Sequence, residues 1–111
     1  MATKSVTPET KLKREIVAWL EYNGIDTWPV PISPMITARG RAKNPMRGHP
    51  DRAGVFRGRY LAIEIKAPGW AGELKAEQAA WRERLENAGA LYILATSVAD
   101  VEIAIAAGRV A

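Results

Sequence analysis

The 111-residue chain has no cysteine, so neither a disulfide framework nor a thiolate metal site can form. It has one histidine, His49, which excludes a zinc site built on several imidazoles. No apolar run approaches the roughly 20 residues that a membrane-spanning helix needs. Residues 1–13 are polar and charged, unlike a secretion signal. The expectation is a cytoplasmic protein with no membrane segment and no organic cofactor. Any divalent ion must take oxygen ligands, as Mg²⁺ does.

What is present fits a single domain spanning residues 1–111. The chain is long enough for one core and too short for two. Apolar residues make up 48% and charged residues 25%, ordinary values for a globular protein. The net charge of +4 is weak evidence for a polyanionic partner, but its distribution is stronger. Arg39, Arg41, Lys43, Arg47, Arg52, Arg57 and Arg59 fall between residues 39 and 59, with Asp51 the only acid among them. Such a stretch is the electrostatic footprint of phosphate-backbone binding. A solvated, solubilising loop is the alternative.

Thr7-Pro8-Glu9 combines a capping hydroxyl, a proline at the first helical position and an early acid, which predicts a helix to about residue 23, stopped by Gly24. Leu12, Ile16, Trp19 and Leu20 form its apolar face, with Glu15 beside that stripe and Glu21 opposite. The prolines of residues 28–35 suit an edge strand or extended segment. Residues 37–50 read as a basic, mobile loop. A hairpin follows, with strands at 52–56 and 60–66 around an Arg57-Gly58 turn. A second helix is expected over 73–87, a short apolar strand over 91–95, and a last helix from Ser97 to Gly108 with Asp100 completing its capping box. The helix between the last two strands favours a parallel crossover. The class is α/β, a mixed four-stranded sheet flanked by helices in the order α-β-β-β-α-β-α.

Chemistry gathers at the hairpin. Side chains alternate along a strand, so Glu64 and Lys66 share one face while Ile63 and Ile65 take the other. Pairing of the two strands brings Asp51 towards Glu64. Gln78 interrupts the apolar stripe of Leu74, Trp81 and Leu85, and a buried amide without partners costs about 1–3 kcal/mol. It therefore needs a polar partner on the sheet it faces. An exposed ion pair and a backbone-satisfied glutamine are the plainer readings of these residues.

Gly48-His49-Pro50-Asp51, then Glu64-Ile65-Lys66, then Gln78 resembles the PD-(D/E)XK nuclease superfamily and, within it, the virus-type replication-repair nuclease (VRR-NUC) domain. The resemblance runs from the Glu15 helix to the strand at 91–95. It implies a restriction-endonuclease-like core and a Mg²⁺-dependent endonuclease, with Mn²⁺ able to substitute. Asp51, Glu64 and the Ile65 carbonyl would ligate the metal. Lys66 would orient or help deprotonate the attacking water, Gln78 would brace it, and Glu15 would support the metal directly or through water. DNA is the implied substrate, branched or Holliday-junction-like, in repair within a bacterium or a virus-infected host cell. Arg39, Arg41, Lys43, Arg47, His49 and Arg52 are the expected nucleic-acid contacts. A symmetric junction needs two sites, so a homodimer is expected. Trp28 and Trp70 lie outside strong helical stripes, as contacts for a partner or for core packing. The alternatives are a catalytically inactive nucleic-acid-binding module of the same fold and a basic subunit that binds RNA or a protein.

Overall fold

Thr7 starts the first helix through its hydroxyl, which accepts from the Thr10 N–H at 3.2 Å, with Pro8 next in line. The computed structural model describes residues 5–109. Its elements are α1 (Pro8–Tyr22), β1 (Thr27–Pro29), β2 (Met35–Thr37), β3 (Gly40–Ala42), β4 (Arg52–Phe56), β5 (Arg59–Ile65), α2 (Ala76–Asn87), β6 (Leu91–Ala95) and α3 (Val98–Gly108).

The main sheet has the order β1-β4-β5-β6. The first two pairings are antiparallel, and β5 pairs with β6 in parallel across the α2 crossover. The sheet is thus mixed and four-stranded, in a compact α/β arrangement with three helices. β1 occupies the edge, where Pro29 leaves no central ladder unpaired. No helix among the described residues is long and apolar enough to cross a membrane.

Two features depart from the sequence reading. The stretch expected as loop contains a second, two-stranded sheet, β2 with β3. And α2 starts at Ala76 rather than residue 73, because the Gln78 side chain accepts the Lys75 N–H at 3.1 Å and closes the helix end there.

The core lies on one face of the main sheet. Leu12, Ile16 and Leu20 of α1 meet Leu61, Ile63 and Ile65 of β5, Ile93 and Ala95 of β6, and Val101 and Ile105 of α3. On the opposite face α2 buries no residue completely; Leu74, Trp81 and Leu85 are only half-buried. The expected apolar stripe is present but shallow.

Candidate active site

The site is built on the β4–β5 hairpin. Arg57 and Gly58 both have positive φ, 51° and 79°, which gives a two-residue turn matching the twist of the strands. That turn sets the register, with Arg52 opposite Ile63. One step further along, Asp51 faces Glu64. Asp51 Oδ2 accepts the Ile65 N–H at 3.1 Å, which pins the carboxylate to the end of β5. The N–H and carbonyl of one strand residue point to the same side, so the Ile65 carbonyl is also directed towards Asp51.

Glu64 is nearly buried, at 3% exposure, on the α2 side of the sheet. Gln78 Nε2 donates to its Oε1 at 3.3 Å, and Lys66 Nζ stands 3.6 Å from the same oxygen. Lys66 Nζ also donates to Gln78 Oε1 at 3.3 Å and lies 5.5 Å from the centre of the Trp70 ring. Gln78 thus caps its own helix while joining the amine to the carboxylate. The polar partner that its half-buried position demands is the Glu64–Lys66 pair.

Burial is the main reason the Glu64 carboxyl is pushed up to about 7; repulsion from Asp51 adds to it, and Lys66 and Lys13 oppose it. Desolvation is thus a larger cause than repulsion between the two carboxylates. The Tyr92 hydroxyl is buried without a hydrogen-bond partner, and the phenol is pushed up to about 12 by burial and then by Glu64. Tyr92 interrupts an otherwise apolar strand, a signal that could have drawn attention to it.

Asp51, Glu64, Lys66 and Gln78 come together; Glu15 does not join them. It is exposed, pairs with Lys11 at 4.0 Å, and shares a shallow cleft with Pro68. The α1 residue that reaches the cluster is Lys13, with Nζ 4.0 Å from Asp51 Oδ1 and 3.6 Å from Glu9 Oε2. Lys13 shares a helical phase with Glu9, Ile16 and Leu20, and lies about 200° from Glu15 around the helix. The stripe edge bearing Glu15 faces the Pro68 loop instead.

The expected nucleic-acid contacts divide. Arg39, Arg41 and Lys43 are exposed on and beside the β2–β3 hairpin. Arg47 is exposed but paired with Glu77 at 2.8 Å. Arg52 is half-buried and tied to Thr27 through Nε at 2.7 Å, which makes it a strut between β4 and the edge strand. His49 is 1% exposed, so it is no surface contact. Its Nδ1 lies 2.7 Å from the Pro50 carbonyl, which can only accept, so Nδ1 carries the proton and Nε2 accepts from the Tyr60 hydroxyl at 2.9 Å. Burial lowers the His49 pKa. Gly48 is required beside it: φ is +88°, and a Cβ there would lie 2.8 Å from the Glu77 backbone. Trp28 stays 42% exposed on the edge strand, and Trp70 is half-buried under Lys66; neither joins the core.

No three acidic or imidazole side chains converge as a metal-holding group among the described residues. Two carboxylates do converge, and among the described residues neither Asp51 Oδ1 nor Glu64 Oε2 takes part in a hydrogen bond. Asp51 Oδ1, with Lys13 Nζ at 4.0 Å, Glu64 Oε2 and a strand carbonyl suit a hard cation that keeps several waters, as Mg²⁺ does when it is shared with a substrate phosphate. A scan against protein-family models found no match, and a search of curated proteins found no relative.

Proposed function

We propose that the chain is a Mg²⁺-dependent endonuclease of the restriction-endonuclease-like, VRR-NUC type, hydrolysing phosphodiester bonds of DNA. The observation that carries this reading is the polar cluster in which Gln78 holds Lys66 at 3.3 Å and Glu64 at 3.3 Å, at the end of β5 to which the Asp51 carboxylate is bonded. Asp51, Glu64 and the Ile65 carbonyl would hold the ion. When bound, it supplies a Lewis acid for the phosphate and a more acidic water at neutral pH.

The chain's own residues supply the rest. Lys66 presents an ammonium beside the carboxylates, where it orients the attacking water and offsets negative charge as the phosphorane-like state develops. Gln78 keeps that ammonium from collapsing onto Glu64 alone, since its Oε1 offers a second acceptor. The Trp70 ring covers the amine from one side and limits its solvation. Asp51 keeps its place because a backbone N–H, not a mobile side chain, holds Oδ2. The described residues carry one such cluster, so cutting both strands of a branched duplex would take two copies, and a homodimer belongs to the same proposal.

Nicking of supercoiled plasmid tests the reading. Wild type should cut in Mg²⁺ and stop in chelator, and Asp51→Ala and Lys66→Ala should not cut. Binding without cleavage in every condition would favour an inactive nucleic-acid-binding module instead. Cutting that survived both substitutions would remove the cluster from the chemistry.

A further inference from the structure

The β2–β3 hairpin stands apart from the main sheet, with no strand of its own hydrogen-bonded to it. Its register pairs Ile36 with Arg41, so these two side chains leave from the same face. Both are exposed, Ile36 at 82%. Ile36 is not part of the hydrophobic core. Residues 27–50 carry four cations, Arg39, Arg41, Lys43 and Arg47, and no acid.

The hairpin is nonetheless fixed at its root. Asn44 is 9% exposed and clamps the two legs together: Nδ2 donates to the Pro31 and Ser33 carbonyls, each at 3.0 Å, and Oδ1 accepts the Met46 N–H at 2.9 Å. Between that root and the start of α2 runs a cleft of about 380 Å³, lined by Lys43, Arg47, Gly48, Lys75, Glu77 and Gln78. Glu77 is paired with Arg47, and among the described residues Lys43 and Lys75, the cleft's other cations, form no ion pair. Gln78, whose side-chain amide bonds Glu64 and Lys66, is one of the residues lining the cleft.

We infer that the β2–β3 hairpin is an arm that enters the major groove of B-form duplex DNA while the adjoining backbone lies in the Lys43–Lys75 cleft. This rests on the proposed nuclease reading and adds the substrate class: double-stranded B-form DNA, in preference to single strands or A-form RNA. The major groove, about 12 Å wide, admits a two-stranded ribbon. The deep, narrow groove of duplex RNA does not. Ile36 and Arg41 side by side match what the groove floor offers, a thymine methyl next to acceptor edges of guanine. The Asn44 clamp holds the arm at a fixed distance from the cleft.

Fluorescence anisotropy in chelator separates binding from cleavage. The probes are a labelled DNA duplex of about 20 base pairs, roughly two helical turns, the corresponding single strand, and the same sequence as an RNA duplex. The DNA duplex should bind at least ~10-fold more tightly than either other probe, by groove geometry. Lys43→Gln should lower the salt slope of binding by about 0.9, and Arg39, Arg41 and Lys43 all changed to Gln by about 1.8, because Arg41 faces bases rather than phosphates. Ile36→Ala should weaken duplex binding several-fold at an unchanged salt slope. Equal affinity for the three probes, or duplex binding unaltered by both the triple change and Ile36→Ala, overturns the arm. These are exposed positions, so folding is not at risk. If duplex binding behaves as stated and no plasmid is ever nicked, the nuclease reading fails and the arm stands. If nicking persists while the arm variants bind normally, the arm fails and the nuclease stands.

Discussion

The two faces of the main sheet are held by different forces. Under α1 and α3, branched aliphatic side chains interlock: Ile16, Leu20, Leu61 and Ile63 are fully buried. Over the other face α2 buries nothing completely and is attached by polar contacts. Gln78 reaches Glu64 and Lys66, the Trp81 indole N–H donates to the Arg47 carbonyl at 2.9 Å, and Arg82 lies 4.9 Å from the Tyr92 ring centre. The dry face fixes the strands that carry Asp51 and Glu64. The polar face holds the charged pair Glu64 and Lys66 through the Gln78 amide. Glu64 could not sit so deeply on the dry face, where no amide or amine would meet it.

Substitutions on either face can break that contrast. The largest effect should fall on catalysis: Lys66→Ala should slow plasmid nicking about 1,000-fold, about 4 kcal/mol on the barrier, with thermal melting little changed. A comparable loss of stability would mean Lys66 holds the fold and not the chemistry. On the dry face, Ile63→Ala should cost about 3 kcal/mol in denaturant unfolding. Its counterpart over the polar face, Leu85→Ala, should cost less than about 1.5 kcal/mol because the side chain is only half-buried. Equal costs would erase the distinction.

The pH dependence gives a third contrast. The folded, metal-free protein holds the Glu64 proton more tightly than the unfolded chain does. Stability from this group is fully present below 4.5 and is lost as pH rises through about 7. The size is about 3 kcal/mol, at 1.36 kcal/mol per unit. Glu64→Gln should flatten this part of the profile. His49 acts in the other direction: its pKa is lowered by burial, so its contribution is present above 6.5 and is lost as pH falls below that. A Glu64→Gln profile that still declines towards pH 7 would move the burden elsewhere. A further contrast concerns Gly48→Ala, which forces a left-handed residue against the Glu77 backbone. It should cost about 1–3 kcal/mol and lower nicking by shifting α2, and with it Gln78.

Much of this was legible in residue order. The Thr7 and Ser97 caps, the Arg57-Gly58 turn and the apolar run of β6 rest on local chemistry, and local chemistry is what a sequence displays. The meeting of Asp51 with Glu64 followed from hairpin pairing, and that of Lys66 and Gln78 with Glu64 from strand alternation and helix phase. The β2–β3 hairpin was hidden because its side chains are nearly all exposed, so no apolar alternation marks it. His49 looked like a loop residue because what buries it, Tyr60 and Trp81, lies 11 and more positions away. Glu15 and Lys13 could not be ranked by phase within α1, since the rotation of the helix against the sheet is a tertiary property. Lys13 therefore took the place expected for a carboxylate beside Asp51.

The most direct measurement is thermal melting at pH 7.5 with and without 10 mM Mg²⁺, for wild type and Asp51→Ala. An ion present at about ten times its dissociation constant adds about 1.4 kcal/mol, which is several degrees for a domain of this size. The account predicts that rise in wild type and its absence in Asp51→Ala. Equal shifts in both proteins, or none in wild type with Mg²⁺ or Mn²⁺, would contradict a metal site on the polar face.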